Sequence, residues 1–222
     1  MNTALELNHL PCPTNDSLFE LLSQDIYDKG YSILPNALPL QLAEDLLTHL
    51  NVMSEQKFKL AGIGRENSYL KNEFVRTDEI CWITGESVTG QAWLNWTEQL
   101  QQFLNRRLFL GLFSFESHFA CYEPGKFYKR HVDAFRGQSN RVLSLVAYLN
   151  NNWSEKEGGA LKLYIDENDN EGVTVMPQMG TFVVFLSEQF PHEVLPSTRE
   201  RHSVAGWYRV NGSVNDQIDP PK

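Results

Sequence analysis

Apolar residues recur at helical spacing in three stretches of the first half of the chain. The first stretch opens on Ser17 and Glu20, which form a capping-box pattern, and ends before Gly30. The second follows Pro39, a residue suited to the first turn of a helix. The third carries an apolar stripe that includes two tryptophans: Trp93, Trp96, Leu100, Phe103 and Leu104. The pattern predicts three amphipathic helices, with a short strand in YSILPNAL, that form a helical support at about residues 15–107.

The pattern changes after Gly111 to short runs rich in β-branched and aromatic residues, separated by Gly, Pro and Asn. The runs are LFSFESHFACY, FYKRHVDA, RVLSLVAYLN, GALKLYI, GVTVMPQMGTFVVFL, PHEVLP and RHSVAGWYRV. Helices followed by antiparallel strands indicate an α+β fold, in which helices brace one face of a β-sandwich or barrel. We expect one domain over residues 1–222 with its strands at about 111–210, and a polar loop or hairpin in GIGRENSYLKNEF.

Composition limits the classes of function. The 222 residues carry a formal net charge of −9, so a phosphate backbone would be repelled and nucleic acid is not an expected partner. The three cysteines are scattered without a C-x-x-C pair, which favours reduced thiols over disulfides or a thiolate zinc site. No apolar run approaches a membrane span, and the N-terminus lacks the pattern of a secretion signal. We expect a soluble, cytoplasmic protein without a membrane partner.

A histidine and an aspartate lie two positions apart in the second run of strand-like residues. His131 and Asp133 would share one face of a strand, because alternate residues point the same way. His192, near the start of a later strand, is the candidate third ligand. Two histidines and one carboxylate with open positions form the facial triad of non-haem Fe(II) oxygenases. The triplet alone is weak, since H-x-[DE] occurs by chance in roughly half of such chains, and a hydrogen-bonded histidine beside a solvated aspartate is the alternative.

Arg201 adds a second line of evidence. It follows His192 by nine positions, and a turn near Pro196 and Ser197 would place the two side chains opposite each other on paired strands. The guanidinium would then face the cavity that holds the metal. The same alternation places further residues on that face: Ser203, Ala205 and Trp207. A buried arginine needs an anion, which a dicarboxylate co-substrate would supply. An arginine at the rim, in a surface ion pair, is the alternative.

Five blocks of sequence, in order, carry a resemblance: RTDEICWITGES, ACYEPGKFYKRHVDAF, RVLSLVAYLN, GGALKLY and FPHEVLPSTRERHSVAGWYR. With these blocks, the segment from about Arg76 to Arg209 resembles the prolyl-hydroxylase-domain branch of the 2-oxoglutarate/Fe(II) oxygenases. That branch includes the hypoxia-factor prolyl hydroxylases and their bacterial relatives. The resemblance implies a double-stranded β-helix, which is a distorted jelly roll of two facing sheets, braced by the N-terminal helices. One departure is that the segment between Tyr122 and His131 is one residue shorter than in the animal enzymes.

The resemblance also implies roles for individual residues. His131, Asp133 and His192 match the catalytic iron ligands. Arg201 matches the arginine that binds the distal carboxylate of 2-oxoglutarate. Tyr148 matches a tyrosine whose hydroxyl assists that arginine, with core packing as the alternative.

Further matches concern the walls of the site. Tyr122 and Tyr128 match pocket residues near the co-substrate and substrate, and Trp207 matches an aromatic residue that lines the site. For Tyr122 and Trp207, packing in the core is the alternative. Arg141 and Asp78 match a charged pair that links the barrel to the segment covering the substrate.

The activity implied by the resemblance is hydroxylation of a prolyl residue within a protein. The reaction would use Fe(II), 2-oxoglutarate and O2, with ascorbate as a further expected requirement, and would release succinate and CO2. The protein substrate suggested by bacterial relatives belongs to the translation apparatus, such as an elongation factor, and the polar stretch ending at Arg76 would fold over it. Alternatives are an oxygenase acting on another residue or a free amino acid, a non-catalytic sensor of iron or 2-oxoglutarate, and a zinc hydrolase.

Overall fold

The computed structural model describes residues 15–53, 58, 76–134 and 140–211, and the backbone of 59–60, 213–214 and 217–218. The α-helices in this part of the chain are α1 (Asn15–Lys29), α2 (Leu40–Val52) and α3 (Val88–Leu108). The strands, in chain order, are β1 (Tyr31–Leu34), β2 (Lys59–Leu60), β3 (Glu79–Trp82), β4 (Leu112–Tyr122), β5 (Tyr128–His131), β6 (Arg141–Tyr148), β7 (Leu161–Leu163), β8 (Val173–Val175), β9 (Phe182–Leu186), β10 (His192–Val194), β11 (Arg201–Val210), β12 (Ser213–Val214) and β13 (Gln217–Ile218).

Two antiparallel sheets form the body of the fold. The larger has seven strands in the order β1-β9-β6-β11-β4-β3-β2, and the smaller has four in the order β5-β10-β7-β8. β12 and β13 pair only with each other among the described strands. Side chains of both sheets line one cavity, so the two sheets face each other across it. This is the α+β architecture of two facing sheets that the sequence predicts.

The helices pack on the outer face of the seven-stranded sheet. The aromatic stripe of α3 lies at the centre of this contact: Trp96 meets Phe19 of α1 at 5.5 Å and Phe182 of β9 at 5.2 Å between ring centroids. Trp93 is fully buried and donates its indole N–H to Ser117 Oγ over 2.9 Å. The two tryptophans therefore serve packing, as expected, and hold the sheet from outside while its inner face is left for the cavity.

Most predicted elements agree with the structure. The runs predicted for β4 and β11 match the observed strands residue for residue. α1 begins two residues before Ser17 and ends immediately before Gly30, and α2 begins directly after Pro39. One prediction was incomplete: the run 172–186 contains two strands, β8 and β9, which belong to different sheets. β3, which pairs with β4, was not predicted, and the predicted polar loop, residues 62–74, lies outside the described residues.

One predicted strand pairing is wrong. His192 lies on β10, whose neighbours are β5 and β7, whereas Arg201 lies on β11, whose neighbours are β4 and β6. The chain between them crosses from the four-stranded to the seven-stranded sheet, so the two residues are not cross-strand partners. They still line the same cavity, because the inner faces of the two sheets look toward each other.

Among the described residues, no helix is long and apolar enough to cross a membrane.

Candidate active site

Three candidate metal ligands converge at one point between the sheets. His131 Nε2 lies 3.6 Å from Asp133 Oδ1, and His192 Nε2 lies 3.6 Å from Asp133 Oδ2. The ligand atoms of the three residues all lie within 4.8 Å of one another. Strand pairing produces this convergence, because His131 on β5 and His192 on β10 are direct partners with ring centroids 4.2 Å apart. β5 ends at His131, and Asp133 lies in the bend that follows.

Hydrogen bonds outside the cluster orient all three groups. His131 Nδ1 lies 2.7 Å from the Lys129 carbonyl oxygen, and His192 Nδ1 lies 3.1 Å from the Phe190 carbonyl oxygen. Since a carbonyl can only accept, each Nδ1 carries the proton, and each Nε2 presents a lone pair to the cluster.

The carboxylate is held in the same way. Ser144 donates its hydroxyl to Asp133 Oδ2 over 2.6 Å, and the Ser187 hydroxyl lies 2.9 Å from that of Ser144. Such supporting hydrogen bonds fix the direction of metal ligands. Two imidazole nitrogens and a carboxylate oxygen on one side of a cation suit a divalent metal such as Fe(II) and leave its other side open.

The pKa shifts give the protonation states that a metal site requires. Burial, together with the nearby His131, lowers the pKa of His192 to about 4. Burial alone would raise the pKa of Asp133, but the two histidines and the Ser144 hydrogen bond outweigh it and hold that pKa well below its usual range. At neutral pH His192 is therefore a neutral imidazole and Asp133 is a carboxylate, and neither group must lose a proton before it binds a cation.

A buried cation without an acidic partner lies deeper in the same cavity. Arg201 is only 2% exposed, and it forms no ion pair with any described residue. Its Nε donates to the Gly159 carbonyl oxygen over 2.9 Å, and its guanidinium carbon lies 5.0 Å from the ring centroids of Tyr122 and Tyr148. A buried guanidinium without an anion is costly. The site therefore fits a small anion.

The hydroxyl of Tyr148 strengthens this fit. The side chain is fully buried, and its oxygen has no partner at hydrogen-bonding geometry in the described part of the chain. Burial raises the pKa of Tyr148, while the neighbouring Arg201 cation lowers it, and the net shift is upward. The phenol therefore keeps its proton at neutral pH and can donate it to a carboxylate held by Arg201.

A glycine makes room for the arginine. Gly159 has a φ of +70°, and a Cβ there would lie 2.9 Å from Ser197 Cβ, 3.0 Å from a ring carbon of Trp153 and 3.4 Å from Arg201 Cδ. Any side chain would be strained by the backbone conformation and would push on the arginine. The backbone carbonyl that orients Arg201 thus depends on a residue without a side chain.

The cavity, including its open mouth, encloses about 510 Å³. Its lining contains the three candidate metal ligands and most of the predicted wall residues: Arg201, Tyr122, Tyr128, Trp207, Ser203 and Ala205. Tyr128 stacks on the His131 ring with a centroid distance of 3.6 Å. Tyr148 does not line the cavity but lies behind it, against Arg201.

The predicted pairing of Arg141 with Asp78 is not formed. Asp78 is fully buried and receives two hydrogen bonds from Arg76, at 2.6 and 2.8 Å. Arg141 instead binds Glu116 over 3.0 Å and lies 3.8 Å above the Trp207 ring. The physical reason is local: Arg76 and Asp78 are two positions apart in extended chain, so their side chains meet without any long-range contact.

Sequence reasoning missed two ionisable residues of the cavity wall, Arg76 and His118. Arg76 pairs with Asp78 and lies over the Tyr128 ring at 4.8 Å. The R-x-D spacing in RTDEI was the available signal for it. His118 is buried, and burial with the nearby Arg76 lowers its pKa to about 4. The alternation along β4 places it on the same face as Tyr122, a signal that was present but not used.

Comparison with known proteins agrees with this geometry. Residues 117–209 match the family model of the 2OG-Fe(II) oxygenase superfamily. The chain is 37% identical to a Pseudomonas putida prolyl-4-hydroxylase of known crystal structure, with a TM-score of 0.77, over 88% of this chain and 100% of that one. It also resembles the Trichoplax adhaerens prolyl hydroxylase in complex with a hypoxia inducible factor peptide fragment, at 27% identity and a TM-score of 0.78, over 88% of this chain and 90% of that one.

A sequence relative covers a shorter part of the chain. Mouse prolyl hydroxylase EGLN3 is 32% identical over 144 residues, which are 60% of this chain and 59% of that protein. The chain thus matches somewhat more than half of the length of this relative. The solved structures named above share its two-sheet fold, so the double-stranded β-helix expected from the sequence is confirmed.

Proposed function

This chain belongs to the 2OG-Fe(II) oxygenase superfamily, within its prolyl-hydroxylase branch, and we propose that it hydroxylates a prolyl residue of a protein substrate. One observation supports the proposal above all others. The three candidate ligands His131, Asp133 and His192 share a cavity with Arg201, a buried cation that has no acidic partner among the described residues. A divalent metal and a small dicarboxylate are the two occupants that satisfy both features.

The role that we assign to the triad is to hold iron in a fixed orientation. When bound, Fe(II) with 2-oxoglutarate and O2 supplies the oxidising chemistry of the family. His131 and His192 present Nε2 lone pairs because their Nδ1 protons are committed to backbone carbonyls. Asp133 adds a negative charge, and Ser144 prevents that carboxylate from rotating away. These three residues would hold the metal, and a site with two histidines and one carboxylate would leave coordination positions for the reactants.

We assign the binding of 2-oxoglutarate to Arg201 and Tyr148. The guanidinium would neutralise the distal carboxylate of the co-substrate, and the Tyr148 hydroxyl would donate to it. Arg201 also donates to the Gly159 carbonyl, which fixes its direction before the co-substrate arrives. The Tyr122 ring also lies 5.0 Å from the guanidinium carbon, so two aromatic rings would help to exclude water from the ion pair. A zinc hydrolase would have no use for this buried cation.

We assign substrate contact to the aromatic wall near the metal ligands. Tyr128 stacks on His131, and Trp207 faces the cavity with Arg141 above its ring. A prolyl ring is apolar and flat enough to pack on such a wall. Arg76, which lines the cavity and is oriented by Asp78, is a further candidate for contact with a substrate backbone. The stretch expected to cover the substrate, residues 62–75, lies outside the described residues.

Four finer features are part of the same proposal. The protein substrate would be a translation factor, the protein would act in the cytoplasm, ascorbate would support turnover, and residues 1–222 would form one domain. The two cysteines in the described part of the chain form no disulfide there, consistent with a reducing compartment. Mass spectrometry of proteins from cells with and without the enzyme tests the substrate, by searching for one added oxygen atom on proline.

The central experiment measures succinate release and peptide oxidation together. The purified chain with Fe(II), 2-oxoglutarate, O2 and a proline-containing peptide should give succinate and an oxygenated proline. His131→Ala or Asp133→Ala should abolish both products and weaken iron binding, because each removes a ligand. His49→Ala, a histidine on α2 away from the cavity, is the matched control and should retain activity.

Other outcomes separate the alternatives. Full activity of either ligand variant would disprove the metal assignment. Succinate formed with a free amino acid but not with any protein would favour the free-amino-acid hydroxylase. Tight binding of 2-oxoglutarate without any succinate, at saturating iron and substrate, would favour the sensing module.

A further inference from the structure

A second group of potential metal ligands lies outside the cavity. Cys121, Glu200 and His202 place a sulfur, a carboxylate oxygen and an imidazole nitrogen within 4.8 Å of one another. The Cys121 thiol donates to Glu200 Oε1 over 3.0 Å, and His202 Nε2 lies 3.3 Å from the same oxygen. Ligands of a tetrahedral zinc ion are separated by about 3.3–3.7 Å, given metal–ligand distances of about 2.0–2.3 Å. The two separations that involve Glu200 are already close to this spacing, and the sulfur and the imidazole nitrogen lie within 4.8 Å of each other.

The register of the seven-stranded sheet separates this group from the oxygenase site. His202 of β11 is the direct partner of Cys121 of β4, and the next pair along the two strands is Arg201 with Tyr122. Because neighbours along a strand point to opposite faces, Arg201 and Tyr122 enter the cavity, whereas Cys121 and His202 point away from it. The lining of the cavity accordingly includes the first pair and not the second.

The electrostatic surroundings favour a cation. Glu79 of β3 is the direct partner of Cys121 on its other side, and Glu123 follows two positions later. Burial and then the carboxylates Glu200, Glu79 and Glu123 raise the pKa of the Cys121 thiol. In the described part of the chain the only ion pair of Glu200 is with His202, so no lysine or arginine neutralises it. Several carboxylates around one thiol attract a positive ion.

Access to the group is open. The Glu200 side chain is 55% exposed, while His202 is 15% exposed, so an ion can enter from solvent and meet donors that are largely ordered by the sheet. Two donors come from paired strands, whose backbone positions are fixed by the ladder of hydrogen bonds. Only Glu200, just before β11, needs to adjust when the thiol proton leaves.

We propose that Cys121, Glu200 and His202 form a second metal site, for a thiophilic divalent cation of the Zn²⁺ class, with solvent water completing the tetrahedron. A thiolate and an imidazole select zinc-like ions over Mg²⁺ or Ca²⁺. Binding releases the thiol proton, so the affinity rises with pH. The ion would link β4 to β11 one position away from the Arg201–Tyr122 pair, on the opposite face of the sheet. The site does not depend on the proposed hydroxylase activity.

Cobalt titration provides the test, because Co²⁺ replaces Zn²⁺ and its bond to a thiolate gives a sulfur-to-metal charge-transfer band in the near ultraviolet. The His131–Asp133–His192 group has no sulfur and cannot give this band. We therefore expect the band in the wild-type full chain and, undiminished, in the His131→Ala/His192→Ala double variant. Cys121→Ser should abolish it, and His202→Gln should weaken Co²⁺ binding about 10–100-fold.

Cys81→Ser is the matched control, since Cys81 lies on the neighbouring strand β3 outside the proposed ligand group, and its substitution should leave the band unchanged. Absence of the band in the wild-type chain at saturating Co²⁺ would overturn the proposal. So would a band that survives Cys121→Ser, or one that is lost with Cys81→Ser. Because His202→Gln preserves the cysteine, unchanged Co²⁺ affinity in that variant would also refute the assigned ligand set.

Discussion

Some buried polar groups in this protein have no partner in the part of the chain that the structure describes. Arg201 is the clearest case, since its guanidinium is buried against two tyrosine rings and a backbone carbonyl, with no acidic partner among the described residues. Such a group destabilises the empty protein and is retained for what it binds. The same holds for the Tyr148 hydroxyl, a buried donor without a partner in the described part of the chain. Together, Arg201 and Tyr148 indicate a preorganised binding site for a carboxylate.

Arg201→Met tests this at the residue scale. We expect the half-saturating concentration of 2-oxoglutarate to rise about 10–100-fold, because charge-assisted hydrogen bonds worth about 1.5–3 kcal/mol are lost. Because an unpaired buried charge is also removed, the melting temperature of the co-substrate-free protein should stay the same or rise. Arg201→Lys keeps the positive charge but lacks the planar guanidinium that can donate two hydrogen bonds to one carboxylate. It should therefore bind 2-oxoglutarate more tightly than Arg201→Met but more weakly than the wild type. A lower melting temperature with unchanged 2-oxoglutarate dependence would make Arg201 a structural residue.

At the scale of the elements, the site depends on where strands begin and where chain segments cross between sheets. β5 and β10 pair so that His131 faces His192, and the bend after β5 brings Asp133 to both. The segment after β10 crosses to the other sheet and presents Arg201 from the opposite wall. Gly159, just before β7, supplies the carbonyl that fixes this arginine.

Gly159→Ala should therefore affect both stability and co-substrate binding. The positive φ and the close approach of Ser197 and Trp153 should cost about 1–3 kcal/mol of unfolding free energy. Pressure on Arg201 should raise the half-saturating concentration of 2-oxoglutarate about tenfold, an effect of about 1.4 kcal/mol. Gly125→Ala is the matched control: its φ is +81°, but a Cβ there meets no atom within 4 Å. Equal effects of the two substitutions on co-substrate binding, measured by calorimetry, would contradict this role of Gly159.

At the scale of the whole molecule, the cavity between the sheets holds histidines that resist protonation. Burial and the nearby Arg76 lower the pKa of His118 from 6.5 to about 4. The unfolded chain binds this proton more tightly than the folded chain does. The resulting stabilisation is complete above about pH 6.5 and is lost as the pH falls from 6.5 toward 4. The lowered pKa of His192 likewise reduces the stability of the metal-free protein as the pH falls.

Acid should therefore destabilise the metal-free protein well before its carboxylates titrate. Between pH 7 and pH 4 we expect His118 to withdraw at most about 3 kcal/mol of unfolding free energy. Denaturant unfolding of chelator-treated protein at several pH values measures this. His118→Gln, which has no proton to bind, should show a correspondingly smaller loss over the same range. Identical pH dependence of the variant and the wild type would mean that His118 does not contribute.

The sequence by itself determined the helices, most strands and the identity of the candidate ligands, because these depend on local periodicity and on side-chain chemistry. The alternation in LFSFESHFACY and RHSVAGWYRV predicted β4 and β11 in full, and H-x-D named two of the three donors. Only the tertiary structure decided which sheet each strand joins. The predicted pairing of His192 with Arg201 was wrong for this reason. The sequence between β10 and β11 does not show whether the chain turns back within one sheet or crosses to the other.

The partners of charged side chains were likewise decided by tertiary structure. Asp78 binds Arg76, and Arg141 binds Glu116, although the resemblance to the prolyl hydroxylases implied that Arg141 and Asp78 form a pair. The cluster of Cys121, Glu200 and His202 was also invisible in the sequence, because it arises from the register of β4 against β11. Long-range register depends on the packing of the whole chain, and no local pattern of residues contains it.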